Sequence, residues 1–262
     1  MLADSFRVDG RVAIVTGASR GIGAATALAL AGSGADLVVS ARNPEALAAL
    51  AAKVENDTGK RAFAIPADLN DLDSLPPLVE AAKAEFGRLD VLVNNVGGTM
   101  PRPFLDTSPG YLERAFHFNV TVAFQLTRLA APVMLAGEGG SVVNVASAIG
   151  RLVDRGFVAY GTAKAALIHM SRLIALDLAP RIRVNVVAPG AIETEALGTV
   201  LTDEMRQTMI GLTPARRLGR VEDIASAILY LASDAGSYLT GKVIEADGGQ
   251  HVANLPLGLP DL

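Results

Sequence analysis

The sequence predicts an α/β protein built on a doubly wound, seven-stranded parallel sheet with helices on both faces, as one domain over residues 1–262. Three observations carry this. Seven short β-branched runs alternate with longer Ala- and Leu-rich segments, the strand–helix alternation of right-handed βαβ crossovers. The runs are continuously apolar rather than alternating, as strands buried on both faces are. The first run ends in a glycine-rich turn that leads straight into a helical segment, which makes the arrangement Rossmann-like.

The strands are read in order as RVAIVTG from Arg11, ADLVVSA from Ala35, RAFAIPAD from Arg61, LDVLVNN from Leu89, GSVVNVAS from Gly140, RIRVNVVAPG from Arg181 and KVIEADGG from Lys242. The stretches between them read as helices. Two segments depart from the alternation. Residues 191–214, rich in Thr and Met, form an insert between the sixth strand and the last helix, expected to be a substrate lid. Residues 253–262 form an apolar, proline-bearing tail. No fixed-period repeat, low-complexity segment or linker divides the chain.

Composition narrows the function. With 262 residues and 50% hydrophobic content, the chain can bury one large core. A net charge of −4 with scattered Lys and Arg points to neither nucleic acid nor an anionic membrane as partner. The absence of cysteine excludes disulfides and thiolate catalysis and fits a reducing, cytoplasmic setting. The N-terminus MLADSFRVDGR lacks the apolar stretch of a signal peptide. The longest uncharged run, residues 21–35, falls short of the roughly 20 residues that span a bilayer. His117, His169 and His251 do not cluster with carboxylates at ligand spacing, so no metal site is expected.

Tyr160 and Lys164 form a Y-x-x-x-K pair, one helical turn apart on the same face, with Ser147 upstream. A fixed cation beside a phenol favours the phenolate. A free tyrosine titrates near pH 10, so acid/base work near neutrality needs a downward shift of about 3 units, roughly 4 kcal/mol. By itself the pair also fits a surface tyrosine above a solvated lysine. The glycine turn Thr16-Gly17-Ala18-Ser19-Arg20-Gly21-Ile22-Gly23 adds a nucleotide to the picture, because glycines let the backbone approach a pyrophosphate at a helix N-terminus. Tight strand–helix turns use glycine for other reasons as well. At the end of the second strand stand Ser40-Ala41-Arg42-Asn43, with no carboxylate to bind a ribose 2′-hydroxyl. Arg42 and Arg20 are placed to clamp a 2′-phosphate, which favours NADP(H) while leaving NAD(H) possible; two solvated arginines are the plainer alternative.

Together, the glycine turn, Asn94-Asn95-Val96-Gly97, Asn119, Ser147, Tyr160-Gly161-Thr162-Ala163-Lys164 and Pro189-Gly190 resemble the short-chain dehydrogenase/reductase family, from Val8 to about Gly249. The resemblance implies reversible hydride transfer between a nicotinamide and a carbonyl or secondary alcohol. It implies that Tyr160 exchanges the proton, Lys164 lowers its pKa and bonds the nicotinamide ribose, and Ser147 holds the substrate oxygen. Asn119 would keep a helix open for a water leading to Lys164. On the same basis Gly17, Ser19, Arg20, Gly21, Ile22, Gly23, Arg42, Leu69, Asn95, Gly97, Pro189 and Gly190 join the cofactor site, with Thr16 and Asn94-Asn95 bracing its turn. Asp68 would meet the adenine, or else cap the following NDLDSL helix, and Ile192 and Thr194 would contact the carboxamide. Val96 replaces the alanine usual in that segment. Residues 98–100 and 148–153, Phe157, Leu197, Val200, Leu201, Met205 and Met209 would line an apolar pocket for a small carbonyl or alcohol, such as a ketone, hydroxysteroid or 3-oxoacyl thioester. Acyl-carrier reductases that resemble the chain often carry a base before the fifth strand, where this sequence has Ala136-Gly137-Glu138-Gly139-Gly140. A homotetramer or dimer is implied; the apolar tail is expected either to dock on a neighbouring subunit or to fray. A non-catalytic nucleotide sensor keeping the same fold is the alternative from another class.

Overall fold

Residues 2–198 and 201–258 are described by the computed structural model. Its sheet is seven-stranded and wholly parallel, in the order β3-β2-β1-β4-β5-β6-β7. The strands are β1 (Val12–Thr16), β2 (Asp36–Ala41), β3 (Ala62–Pro66), β4 (Val91–Asn94), β5 (Gly140–Val145), β6 (Ile182–Pro189) and β7 (Val243–Ala246). Each predicted run supplies one of them. The order reverses between β1 and β4, and a crevice opens there beyond the carboxyl ends of the strands.

Alternate residues of each strand feed two cores, which is why the runs read as continuously apolar. Ala13 and Val15 pack with Leu30 of α1 (Gly21–Gly32), Leu47 of α2 (Pro44–Thr58) and Ile228 of a later helix, Val221–Ala232. Val12 and Ile14 face the opposite layer, with Leu78 of α3 (Pro76–Phe86) and Leu126 of a helix over Val122–Ala136. Each such buried Leu or Ile contributes about 1.5–3 kcal/mol.

After β4 the chain forms α4 (Pro109–Phe116), a π-helical turn over His117–Thr121, and α5 (Val122–Ala136). Among the described residues this run, Pro109–Ala136, has the length and apolarity to cross a membrane. Its apolar side is taken up by the core, from Ala115 through Leu126 to Met134. Next come α6 (Val158–Leu178), then α7 (Glu195–Gly198), α8 (Asp203–Leu212) and α9 (Val221–Ala232). The excursion after β6 runs longer than the predicted insert. It closes at Gly219, whose N–H donates to Ala191 and whose carbonyl accepts from Glu193, at 2.9 and 2.8 Å. Of the tail, residues 259–262 lie outside the described residues. Asn254 is buried against its own chain, beside Thr213.

Candidate active site

A cleft of about 1240 Å³ runs across the carboxyl ends of β1, β4 and β5. It exceeds the roughly 300–1,000 Å³ of ordinary ligand pockets and has room for a dinucleotide and a small second molecule. Its walls include Gly17, Ser19, Arg20, Gly21, Ile22, Arg42, Asp68, Leu69, Asn95, Gly97, Ser147, Tyr160, Lys164, Pro189 and Thr194, fifteen of the sequence-predicted residues drawn from seven separate segments.

One floor of the cleft is a turn locked by hydrogen bonds. The buried Thr16 hydroxyl accepts the N–H groups of Asn95 and Val96 at 2.9 and 3.2 Å and donates to the Val93 carbonyl. Asn95 Nδ2 donates to the carbonyls of Thr16 and Gly17, at 3.0 and 3.3 Å. Gly17 has φ +64°, and a Cβ on Gly23 would lie 2.2 Å from the Gly17 carbonyl oxygen, so neither position admits a side chain. Gly23 therefore sits behind the turn, not on the cleft wall. No side chain caps α1, so its first N–H groups are open to an anion. Asn94 does not brace this turn. Its amide points the other way, donating to Asn144 and Thr127 at 2.8 and 3.2 Å inside the core.

The adenine end departs from expectation in one respect. Asp68 accepts the N–H of Asn70 at 3.1 Å, and the short helix that follows is capped by Asp71 instead, through the Asp73 N–H. Asp68 thus has no capping duty and lines the cleft. Ser40 turns its hydroxyl to the Ile65 carbonyl, 2.7 Å away, while Arg42 stands on the cleft wall. Arg20 faces Glu195, the first residue of α7, at 4.0 Å. This acid sits opposite one of the two candidate phosphate ligands, and no sequence spacing brings the pair together.

At the other end Ser147 follows β5 and hydrogen-bonds the Tyr160 hydroxyl. Lys164 is buried, with Nζ 5.7 Å from the Tyr160 ring centroid and donating to the Val145 carbonyl at 2.9 Å. Burial pulls its pKa down to about 8. The Tyr160 phenol is pushed up from 10 by burial, with the Ser147 bond pulling weakly the other way. This reverses the expected downward shift. In the protein alone, loss of water around the hydroxyl outweighs the Ser147 bond, and Lys164 is hydrogen-bonded to a backbone carbonyl that no side-chain pattern reveals.

Asn119 is buried in the π turn, away from the cleft wall. Its Nδ2 donates to the Ala115 carbonyl at 2.8 Å, completing the opened helix, and its Oδ1 accepts the Gly98 N–H at 2.9 Å. A Cβ on Gly97 would lie 2.7 Å from Lys164 Nζ and 2.8 Å from Asn119 Oδ1, which leaves the site open only to glycine. Gly190 and Ile192 are likewise set back. Gly190 is pressed against Gln250 and Asp247, and Ile192 turns into the core and a second cavity of about 190 Å³. Val96 packs beside Gly17 without closing the cleft.

Of the expected substrate lining, Gly98 and Thr99 reach the cleft, and Phe157 lies 6.5 Å from the Tyr160 ring. Met209 does not serve as an open wall, because it is the buried anchor of α8. Val200 falls outside the described residues. Tyr111 and Arg114 of α4 and Phe118 of the π turn line the cleft without having been singled out, since they stand in an ordinary amphipathic stretch. Among the described residues no three His, Asp or Glu side chains gather as metal ligands.

A family model described as enoyl-(acyl carrier protein) reductase matches residues 17–251. A solved 7α-hydroxysteroid dehydrogenase, complexed with NADH and 7-oxo glycochenodeoxycholic acid, superposes with a TM-score of 0.92 at 39% identity, covering 97% of this chain and 98% of that one. The chain belongs to the short-chain dehydrogenase/reductase family. Two further relatives of this oxidoreductase family are similar over nearly full length. An uncharacterized oxidoreductase of Mycobacterium tuberculosis is 52% identical over 100% of both chains. The 7α-hydroxysteroid dehydrogenase of Escherichia coli K12 is 40% identical over 94% of this chain and 96% of its own.

Proposed function

We propose that this short-chain dehydrogenase/reductase transfers a hydride reversibly between NADP(H), preferred over NAD(H), and a ketone or secondary alcohol on an apolar small molecule. The observation that carries the proposal is the convergence of the Ser147 and Tyr160 hydroxyls beside a buried Lys164 at one end of a dinucleotide-sized cleft. When bound, the nicotinamide supplies or accepts the hydride. In reduction, Ser147 donates a hydrogen bond to the carbonyl oxygen, and Tyr160 gives its proton to that oxygen as negative charge develops there. The phenol is protonated at neutral pH, the state that reduction uses, and burial raises its pKa further. In oxidation the tyrosine must lose that proton, and the Lys164 ammonium then stabilises the phenolate through space. Two hydroxyls aimed at one oxygen suit a C=O group better than a C=C bond.

For the cofactor, Gly17, Gly21 and the uncapped start of α1 would cradle the pyrophosphate, with Gly23 packed behind the turn, and Asp68 would meet the adenine. Gly97, Pro189 and Thr194 would flank the nicotinamide. Arg42 supports the preference for NADP(H), since no carboxylate stands at the end of β2. Glu195 opposite Arg20 makes Arg42 the principal phosphate ligand. Arg42→Ala should raise the Kd for NADPH about tenfold and leave that for NADH within twofold, as measured by fluorescence titration.

A narrower reading is a hydroxysteroid dehydrogenase, supported by the relatives of that activity. A 3-oxoacyl reductase serving a carrier protein is less well supported, because the turn before β5 exposes Glu138 where an acidic partner calls for a base. A homotetramer in the cytoplasm fits the family resemblance and the absence of cysteine. The test is Tyr160→Phe. Turnover of an apolar ketone panel with NADPH should fall about 10²–10⁴-fold while NADPH affinity stays within twofold. Undiminished turnover overturns the mechanism, and a wild-type protein that binds NADPH yet turns over no panel member leaves the sensor alternative.

A further inference from the structure

The start of α7 leans over the glycine turn, and a short run of contacts fixes it there. The Glu193 N–H donates to the Gly219 carbonyl at 2.8 Å, and the Glu193 carboxylate pairs with Arg206 of α8. Thr194 caps α7. Its Oγ1 accepts the Leu197 N–H at 3.2 Å and its carbonyl accepts the Gly198 N–H at 2.9 Å. The Thr194 methyl lies over the turn itself, 3.6 Å from where a Cβ on Gly21 would stand. Glu195, next in the chain, is thereby carried to the cleft wall, with its Oε2 4.0 Å from Arg20 Nη1.

This pair is exchangeable. Both side chains are largely exposed, and 4.0 Å lies beyond hydrogen-bond range. Arg20 spends no side-chain bond on capping α1 either, so its guanidinium is open to a stronger anion, with Glu195 beside it as a competitor. Arg42, on the same wall, has no acid within ion-pair distance among the described residues. A phosphate monoester carries about two negative charges at neutral pH, whereas a ribose hydroxyl carries none. A carboxylate held next to Arg20 therefore penalises a 2′-phosphate twice. It competes for the guanidinium, and it repels the phosphate through space. The same carboxylate costs a 2′-hydroxyl almost nothing, and its repulsion of the pyrophosphate is equal for the two cofactors and cancels in their ratio.

We propose that Glu195, acting through Arg20, is a specificity-determining residue that holds down the preference for NADPH and keeps NADH usable. The inference rests on the cofactor reading above, in which Arg42 is the principal phosphate ligand. Arg20 adds only a fraction of its possible share, because Glu195 occupies it. Neutralising the carboxylate frees Arg20 as a second phosphate ligand and widens the gap between the two cofactors.

The test measures the Kd for NADPH and for NADH by fluorescence titration in the wild type, Glu195→Gln, Arg20→Ala and the double variant. Glu195→Gln keeps the shape of the side chain and removes its charge. It should tighten NADPH binding about fivefold and leave NADH within about twofold. Arg20→Ala should weaken NADPH binding less than about threefold in the wild-type background and about tenfold in the Glu195→Gln background, because only there is the guanidinium free for the phosphate. Glu195→Asp, which draws the charge back by one methylene, should give part of the gain. The gain should shrink as salt is raised toward about 1 M, where charges are screened beyond about 3 Å. Unchanged affinities in Glu195→Gln overturn the proposal. So does equal tightening of both cofactors, which assigns the repulsion to the pyrophosphate they share, and so does an Arg20→Ala cost that is the same in both backgrounds. A wild-type protein that prefers NADH refutes the cofactor preference alone, since a shift toward NADPH in Glu195→Gln still supports the role of Glu195.

Discussion

The glycine turn under the cleft and the helix α8 are built by different means. On the side of β1 and β4, Thr16, Gly17, Asn95 and Val96 hold one another through buried backbone and side-chain hydrogen bonds, and added atoms have nowhere to go. In α8, away from the cleft lining, Met209 is the one fully buried side chain, and an Arg206–Glu193 ion pair and the Asn254 amide hold the helix from outside. A wall made of satisfied buried donors is rigid, because each broken bond leaves an unpaired polar group. One resting on little apolar area and a few polar pins adapts readily. The rigid wall suits a ligand of fixed shape, the dinucleotide.

The sharpest way to break the rigid side is Gly97→Ala. The new Cβ would fall 2.7 Å from Lys164 Nζ and 2.8 Å from Asn119 Oδ1, so both must move. NADPH affinity should drop about 100-fold, which is roughly 2.7 kcal/mol, as read by fluorescence titration. The same alanine exchange at Gly198 in α7, where a Cβ meets nothing, should leave cofactor binding unchanged. Equal effects at both positions would erase the contrast between the two regions.

Thr16→Val tests the same wall through stability. It keeps the shape and strips the Asn95 and Val96 N–H groups of their acceptor, so unfolding free energy should fall by about 1–3 kcal/mol in a denaturant titration. Substitutions at exposed lid positions such as Gln207 should stay within about 0.5 kcal/mol.

The smallest expected effect is of pH, and it tests the buried lysine. Lys164 has its pKa lowered to about 8, so burial disfavours its charged form. That cost to folding is complete below pH 8 and is relieved as pH rises from there toward the unfolded value near 10.4. Cofactor binding runs the other way if the ribose takes a hydrogen bond from the ammonium. Affinity for NADPH should be flat below pH 8 and weaken above it, by up to about tenfold per unit, and the slope should vanish in Lys164→Met. A slope that survives in that variant assigns the titration to another group.

Much of this molecule is legible along the chain because its decisive signals are local. β-branched runs mark all seven strands, since a strand buried on both faces leaves no polar alternation. The glycine turn and the Y-x-x-x-K pair are legible because helix geometry and close backbone approach demand particular residues at particular intervals. Adjacent residues are harder. Asn94 and Asn95 look alike in sequence, yet one satisfies the core and the other the cofactor turn, because successive strand residues point to opposite faces. Asp68 and Asp71 divide cleft and cap between them on the placement of one turn.

What the sequence by itself determined is therefore the order of elements, the residue types at the reacting end and the absence of a carboxylate after β2. Only the tertiary structure decided which way the Tyr160 and Lys164 proton affinities move, that Glu195 faces Arg20, and that Asn254 bonds Thr213 just after α8. Periodicity and spacing are written in neighbouring residues. Desolvation and long-range pairing depend on what the folded chain brings together from segments far apart, and no local pattern encodes them.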